Sequence, residues 1–431
     1  MRQFAPVETP TRSPGTTPRN NPRNNPRSEL VKVLLVNDYR RAGGCEVMVE
    51  QIREGLAARG HEVLVFTSED VPGYRRTPLG YVDSQACRHA LEAKLNQFIP
   101  EVVHLHNFYH ELSPGILATL RAWKNRTGGR VVMTVHDFHI VCPNAGMRYF
   151  RGGKPRIAAL DRRLTLGQIL GRRWDHRGFG YSALKILQHV WNYRLLKRRR
   201  VIDLFISPSR FLKSMLECNG LTVVWLPNPA PAPAIHKPER SSDELHLAFV
   251  GRVEPEKGLA EFLTALPSDF PGRLEIMGDG SALAACRKVA SDRNLEHYVE
   301  FVGVVERDEA LRHIARAHVV VLPSRWPENS PVSLVEALAS GASILTSNMP
   351  GGQEIVNDSG VGYTFDIDNP DDLARALSKI EADFKRGTLN KFDVTDFLQQ
   401  RDEQNFIDRI IELYEASPQS PIACPPEPCV S

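Results

Sequence analysis

The sequence predicts an α/β protein built as two halves, each a parallel sheet wrapped by helices. Three observations carry this reading. Short apolar runs alternate with helical patterns along most of the 431 residues, as expected of βαβ units. The first run of each half opens into a glycine-bearing loop and then a helical pattern. Between the halves lies the stretch 227–243, PNPAPAPAIHKPERSSD, whose prolines suit a semi-extended linker.

In chain order, residues 1–29 are rich in Pro, Thr, Asn and Arg and include the near-repeat PRNNPRNNPR. Such a segment buries too little apolar surface to offset the entropy of ordering, and it reads as a disordered basic tail. The first half, 30–226, begins with a buried strand at 31–36, a loop containing Gly43 and Gly44, and a helical pattern through Leu56. Further strands are expected at 60–66, 102–106, 131–137, 204–206 and 223–226. From 152 to 200 the pattern lapses, then returns as a basic helix over 183–200 with Leu184, Leu187, Val190, Trp191 and Leu195 as its apolar face.

The second half, 244–395, starts with a strand at 247–250 and the loop Gly251-Arg252-Val253-Glu254-Pro255-Glu256-Lys257-Gly258, which opens a helix. Strands follow at 274–277, 299–302 and 319–322, then a helix over 332–340 that stops at Gly341, and a strand at 342–346. A last amphipathic helix is expected over 396–416, with a loose tail at 417–431.

The hydrophobic content of 42% is normal for a globular chain, and the net charge is only +3. That charge is unevenly spread: fourteen Lys/Arg against two Asp give residues 151–200 a charge of +12, leaving −9 elsewhere. Seven cysteines, at 45, 87, 142, 218, 286, 424 and 429, show neither CxxC pairs nor zinc-ligand spacing, which fits reduced thiols in the cytosol. There is no run of eighteen apolar residues and no apolar signal-peptide core, so any membrane contact is expected to be peripheral.

The densest chemistry lies in LPSRWPENSPVSLVEALASGASILTSNMPGGQE, 322–354. Glu328 falls in the loop after a buried strand, where parallel α/β sheets hold ligands. Glu336, eight residues on, is placed near the start of the following helix, where a carboxylate can accept from both hydroxyls of a ribose. Arg252 and Lys257, five residues apart around a turn at a helix start, can neutralise phosphates; a solvated loop is the plainer alternative.

The spacing E-x7-E with Asn329-Ser330-Pro331 inside it, the G-R-V-x-P-x-K-G loop and the Pro350-Gly351-Gly352 loop resemble the GT4 family of retaining nucleotide-sugar glycosyltransferases. The resemblance covers roughly residues 31–415 and implies the GT-B fold, two Rossmann-like domains facing across a cleft. It implies that Arg252 and Lys257 hold the donor diphosphate, that Glu336 binds the ribose, and that Glu328 lies beside the transferred sugar. Asn329, Ser330 and Pro331 then face the sugar hydroxyls, with Pro331 contributing no N–H. Gly43 and Gly44 match the family's Gly-Gly loop, although a tight βα turn alone also explains them. His136, at a strand end beside Asp137, matches a histidine that points to the donor sugar and completes the catalytic pair with Glu328. His104, His106 and His139 cluster in sequence, but no carboxylate or thiolate spacing completes a metal site, so neither metal nor cofactor is expected.

The expected activity is transfer of a sugar from a nucleotide-sugar donor to a hydroxyl or lipid-linked acceptor, with retention implied by the resemblance, in surface polysaccharide or glycolipid assembly. A sugar-nucleotide epimerase or hydrolase, or a non-catalytic binding subunit, is the alternative. Nucleic-acid binding is not expected, because RLLKRRR lacks interleaved stacking aromatics. The +12 segment is expected to dock the protein on the anionic cytoplasmic face of a membrane; the alternative is a helix that packs its apolar face on the sheet and shows its arginines to water.

Overall fold

The computed structural model of the protein describes residues 30–40, 43–158, 163–231, 240, 244–267 and 269–416. The expected tails at 1–29 and 417–431 lie outside these residues, as does most of the expected linker at 227–243.

The first half contributes strands β1 (Lys32–Val36), β2 (Glu62–Phe66), β3 (Val102–Leu105), β4 (Arg130–Thr134), β5 (Arg148–Arg151), β6 (Lys154–Ile157), β7 (Leu204–Ser207) and β8 (Val223–Trp225). The second contributes β9 (Leu245–Val250), β10 (Gly272–Met277), β11 (Val299–Gly303), β12 (Val319–Leu322), β13 (Ser343–Ser347) and β14 (Tyr363–Phe365). Two six-stranded parallel sheets result, ordered β2-β1-β3-β4-β7-β8 and β11-β10-β9-β12-β13-β14. Nearly every residue of β3, β7 and β12 is buried, which is why these strands read as unbroken apolar runs rather than alternating ones. Strand order reverses between β1 and β3 and between β9 and β12. Loops leaving those strands therefore diverge and open a crevice.

The period of two along β1 assigns its side chains to two cores. Leu34 and Val36 join Phe66, Leu105 and Phe108 on one face, and Val33 and Leu35 join Ile52, Leu56, Phe406 and Ile410 on the other. The last two belong to the helix Glu403–Glu415, so the end of the described chain returns to cover the first sheet. Arg59 Nε lies 2.6 Å from Asp408 Oδ1, and Tyr414 hydrogen-bonds His104 Nδ1 at 2.7 Å.

Three expectations need correction. The last helix is two pieces, Thr395–Gln399 and Glu403–Glu415, because Asp402 caps a new start by accepting from Asn405 N at 2.8 Å. The antiparallel hairpin β5–β6, which is not among the expected strands, spans the start of the lapse at 152 and is turned by Gly152 and Gly153 at φ 58 and 76; a two-residue Gly-Gly loop between strands is a hairpin signal. The basic helix runs over Phe179–His189, continues as a π-turn over Val190–Leu195 and stops before the arginine run. Lys197, at φ 49, breaks it, and Arg198–Val201 form a separate tight turn.

That helix and its extension bury a mixed face: Tyr193 enters the core and Ile186 and Val190 pack on it, with polar side chains beside them. Ser182, Gln188, His189 and Asn192 are buried, whereas Phe179, Tyr181, Leu187, Trp191 and Leu195 are exposed. The polar neighbours are free carbonyls at the C-terminal end of the short helix Pro78–Val82 and at Tyr109. Gln188 Nε2 donates to Tyr81 O (2.6 Å) and Tyr109 O (2.9 Å), and Asn192 Nδ2 donates to Val82 O (3.0 Å). Arg198 reaches inward to Asp83 Oδ2 at 2.7 Å and to Asn192 Oδ1 at 2.6 Å, and Arg199 donates to Ile140 O at 3.2 Å. Neither alternative offered for this segment holds in full: of the expected apolar face Leu187, Trp191 and Leu195 are outside while Val190 packs on the core, and two of the arginines are inside.

Candidate active site

The loops after β9 and β12 meet at the reversal of the second sheet. The loop after β12 is approached closely enough to need glycine at two points, Gly258 in the loop after β9 and Gly351 in the loop after β13. Gly258 has φ 68, and a Cβ there would stand 2.1 Å from Pro323 O; Gly351 has φ 87, and a Cβ would stand 2.1 Å from Glu328 O. Lys257 Nζ consequently lies 2.7 Å from Glu328 Oε1. The same oxygen accepts from Trp326 Nε1 at 2.7 Å and from Ser324 Oγ. Burial pushes the Glu328 carboxyl up, but Lys257, Ser324 and Trp326 outweigh it and hold the group below the usual carboxylate range. Lys257 also stands 5.6 Å from the Trp326 ring centre, with Arg148 of β5 at 5.4 Å. In the ligand-free protein, the cation expected to meet the diphosphate is thus held by the carboxylate expected beside the sugar. Arg252 is exposed and makes no ion pair with any described residue.

Glu336 sits in the second turn of the helix Val332–Ala339, not at its start, and is buried. Arg307 Nη2 lies 2.8 Å from its Oε1 but off the line of a hydrogen bond, so this buried oxygen keeps an unfilled acceptor position. Burial raises the Glu336 carboxyl above its ordinary range, with Arg307 opposing. A buried carboxylate with spare acceptor capacity suits hydroxyl donors.

A cavity of about 950 Å³ joins the halves: Glu336, Arg307 and Val250 line it from one side, Tyr39, Gly43 and Gly44 from the other. Gly43 is extended at φ 174, and a Cβ on Gly44 would meet nothing of the protein within 4 Å. Neither conformation nor packing against the described residues requires glycine at Gly44, which borders the cavity.

His136 follows β4 and hydrogen-bonds His106 through its Nε2 to Nδ1 at 2.9 Å, the two rings stacked at 5.2 Å. Burial lowers His136 to about 4, so near neutral pH it is an uncharged donor and acceptor. Cys45, His106 and His136 each bring a ligand atom within 4.8 Å of the others, which places the Gly43-Gly44 loop beside the end of β4. His104 is occupied by Tyr414 and Thr134, and His139 stacks on Tyr109 at 3.7 Å.

Asn329 does something the sequence did not suggest. Its Nδ2 donates to Val135 O and its Oδ1 accepts from Ser209 Oγ, both at 2.8 Å, so its side chain ties the Glu328 loop to the strand that carries His136. Ser330 O accepts from Asn228 at 3.5 Å, and Pro331 stands at the N-cap of the next helix. Glu354 strengthens the tie by accepting from Arg210 N at 2.8 Å and Phe211 N at 3.2 Å, capping a helix of the other half. Ser324, Trp326, Arg307 and Glu354 were not picked out from sequence; Ser324 and Trp326 at least carried a signal, since they follow directly on the end of a buried strand.

Two family models match the chain, Glycosyltransferase Family 4 over residues 42–230 and Glycosyl transferases group 1 over 233–391. Phosphatidyl-myo-inositol mannosyltransferase of Mycobacterium tuberculosis (strain ATCC 25618 / H37Rv) is 26% identical over 358 residues, 78% of this chain and 82% of that protein. From the same organism, the GDP-mannose-dependent alpha-(1-6)-phosphatidylinositol monomannoside mannosyltransferase is 30% identical over 170 residues, 37% of this chain and 44% of that protein. Among solved structures, sucrose-phosphate synthase from Thermosynechococcus elongatus superposes with a TM-score of 0.63 at 19% identity, covering 89% of this chain and 98% of that one. Anabaena HepE in complex with UDP and glucose gives 0.61 at 16% identity, covering 90% and 100%. At those identities the structures speak for the fold alone, and the paired sheets agree with it. With both halves matched by their family models, the chain belongs to the GT4 family of glycosyltransferases and has the GT-B fold.

Proposed function

We propose that this glycosyltransferase moves a sugar from a nucleoside-diphosphate donor to a hydroxyl of a lipid-linked acceptor, with retention at the anomeric carbon, in surface polysaccharide or glycolipid assembly. The work is done at the cytoplasmic face of an anionic membrane. The observation that carries the donor half of this reading is the Lys257–Glu328 pair at the strand ends of the second sheet, together with the cavity that Glu336 lines opposite Gly43 and Gly44. The donor's ribose takes the spare acceptor position of Glu336, and its diphosphate draws Lys257 from Glu328 and recruits exposed Arg252. As the bond from the anomeric carbon to the diphosphate breaks, negative charge grows on the leaving oxygen, where these two cations stabilise it. The acceptor oxygen forms its bond to the same face of the sugar, and its proton ends on the departing diphosphate. Glu328 and neutral His136 border the transferred sugar. Protein cations supply the charge, and the reaction needs no metal or cofactor.

A lipid-linked acceptor is supported by the mannosyltransferase relatives, whose names specify phosphatidylinositol substrates. The test is incubation with a panel of nucleotide hexoses and membrane lipid extract, followed by NMR of the product's anomeric coupling. Transfer to a lipid with the donor's anomeric configuration is expected. Inversion would overturn retention, and transfer only to water or to soluble sugars would overturn the acceptor class.

A further inference from the structure

We infer that the outward face of the helix Phe179–His189 and its π-turn extension Val190–Leu195 is a docking surface for an anionic phospholipid bilayer. The inference rests on the lipid-borne acceptor proposed above and identifies the residues that meet the membrane.

Phe179 is 80% exposed, Leu195 63% and Trp191 42%, with Tyr181 and Leu187 beside them. Apolar side chains gathered on one exposed helical stripe mark an interaction site in a soluble chain. The inner face cannot rotate inward to hide them, because Gln188 and Asn192 are committed to the carbonyls of Tyr81, Val82 and Tyr109. The π-turn contributes by carrying the helix past Trp191 at a widened register, and such turns recur at functional sites.

Charge selects the occupant. No acidic residue occurs from Phe179 to Arg200; Lys197 and Arg200 stand exposed at one end of the stripe, and Arg177 at the other is exposed but paired with Asp175 at 2.9 Å. Aromatic and leucine side chains bordered by cations match the boundary between headgroups and acyl chains. A second copy meeting this face across a two-fold axis would oppose the same cations to themselves.

Position supports the same partner. The short helix Pro78–Val82, which holds the inner face, also carries Leu79, 79% exposed. It adjoins a small cleft lined by Tyr74, Arg76, His110 and Glu111. Glu111 accepts from Tyr39 at 2.8 Å, and Tyr39 lines the large cavity. The helix under the stripe is therefore linked through Glu111 to a residue that lines the large cavity, which sets a docked membrane on the side of the first half that faces that cavity wall. The arginine run is not the docking element, since Arg198 and Arg199 are buried within the fold.

The experiment is co-sedimentation of the full chain with vesicles of phosphatidylcholine, with and without phosphatidylglycerol, scored in the absence of donor. Binding is expected to need the anionic lipid and to fall with salt. The double variant Trp191→Ser, Leu195→Ser is expected to lose roughly tenfold or more of that binding, with an unchanged melting temperature and unchanged donor hydrolysis in lipid-free buffer. Lys197→Glu, Arg200→Glu is expected to weaken binding at low salt chiefly. Undiminished sedimentation of the Trp191, Leu195 variant, equal binding to neutral vesicles, or a self-association of the wild-type protein that the double variant abolishes would each overturn the inference. Because no donor is present, a wrong donor or a soluble acceptor fails in the transfer assay and not in this one.

Discussion

Lys257 holds Glu328 before any donor arrives, and this makes its removal more than a test of phosphate binding. Both side chains are largely out of water, and leaving one member of a buried pair uncompensated costs about 3–5 kcal/mol. Lys257→Met should therefore lower stability as well as donor affinity, whereas the double change Lys257→Met, Glu328→Gln should recover most of the stability and none of the donor binding. Chemical denaturation paired with a donor titration separates the two effects; recovery of donor affinity in the double variant would sink the diphosphate role. The sign of the pH dependence follows from the same contacts. In the wild type Glu328 is depressed, so its contribution is present above the ordinary carboxylate pKa of about 4.3 and is lost as pH falls through the lower folded value. Without Lys257 burial is the dominant influence, the folded value rises, and ionisation of Glu328 with increasing pH becomes destabilising. The two glutamates and the two cations were legible in sequence because each follows a strand end at a spacing that carries chemistry. Arg307 and Glu354 were not, since what they touch depends on helices brought together only by the fold.

The helix Gly44–Ala58 shows how an element can be fixed by one that comes some 350 residues later in the chain. A Cβ on Gly55 would stand 2.5 Å from Ile407 Cγ1 and 2.7 Å from its Cδ1, so the glycine is where the helix Glu403–Glu415 presses in. Helix propensity alone would favour Gly55→Ala by about 1 kcal/mol. Overpacking a buried contact costs about 1–3 kcal/mol, and the second effect should win. Thermal melts should find Gly55→Ala destabilised, and Gly55→Ala with Ile407→Ala less destabilised than the sum of the single changes; strict additivity would mean the two helices do not press as described. Strands read correctly from sequence because burial on both faces leaves apolar runs that need no partner to interpret. The helix after Gly178 did not, because periodicity reveals that a helix has two faces and not which one the protein occupies. Where part of the neighbour is the C-terminal end of the helix Pro78–Val82, satisfying its free carbonyls with Gln188 and Asn192 decided the matter.

Across the whole molecule, polar ties at Asn329 and Glu354 join the halves, and both halves line the cavity between Glu336 and the Gly43-Gly44 loop. A donor seated in the second half must therefore reach the first for its sugar to meet His136, and Gly44 is the position that reports on this crossing. Space around a Cβ at Gly44 is free of protein atoms, and the residue begins a helix. Gly44→Ala should leave stability unchanged or raise it by up to about 1 kcal/mol. The same methyl group would intrude on a ligand that uses the clearance, and a misfit of about 1–3 kcal/mol corresponds to roughly ten- to hundredfold weaker donor binding. Donor KM should rise by that factor in a protein that melts no earlier than the wild type. Unaltered donor KM in Gly44→Ala would place the donor wholly within the second half, and the glycine pair would then belong to the turn it makes and not to the sugar.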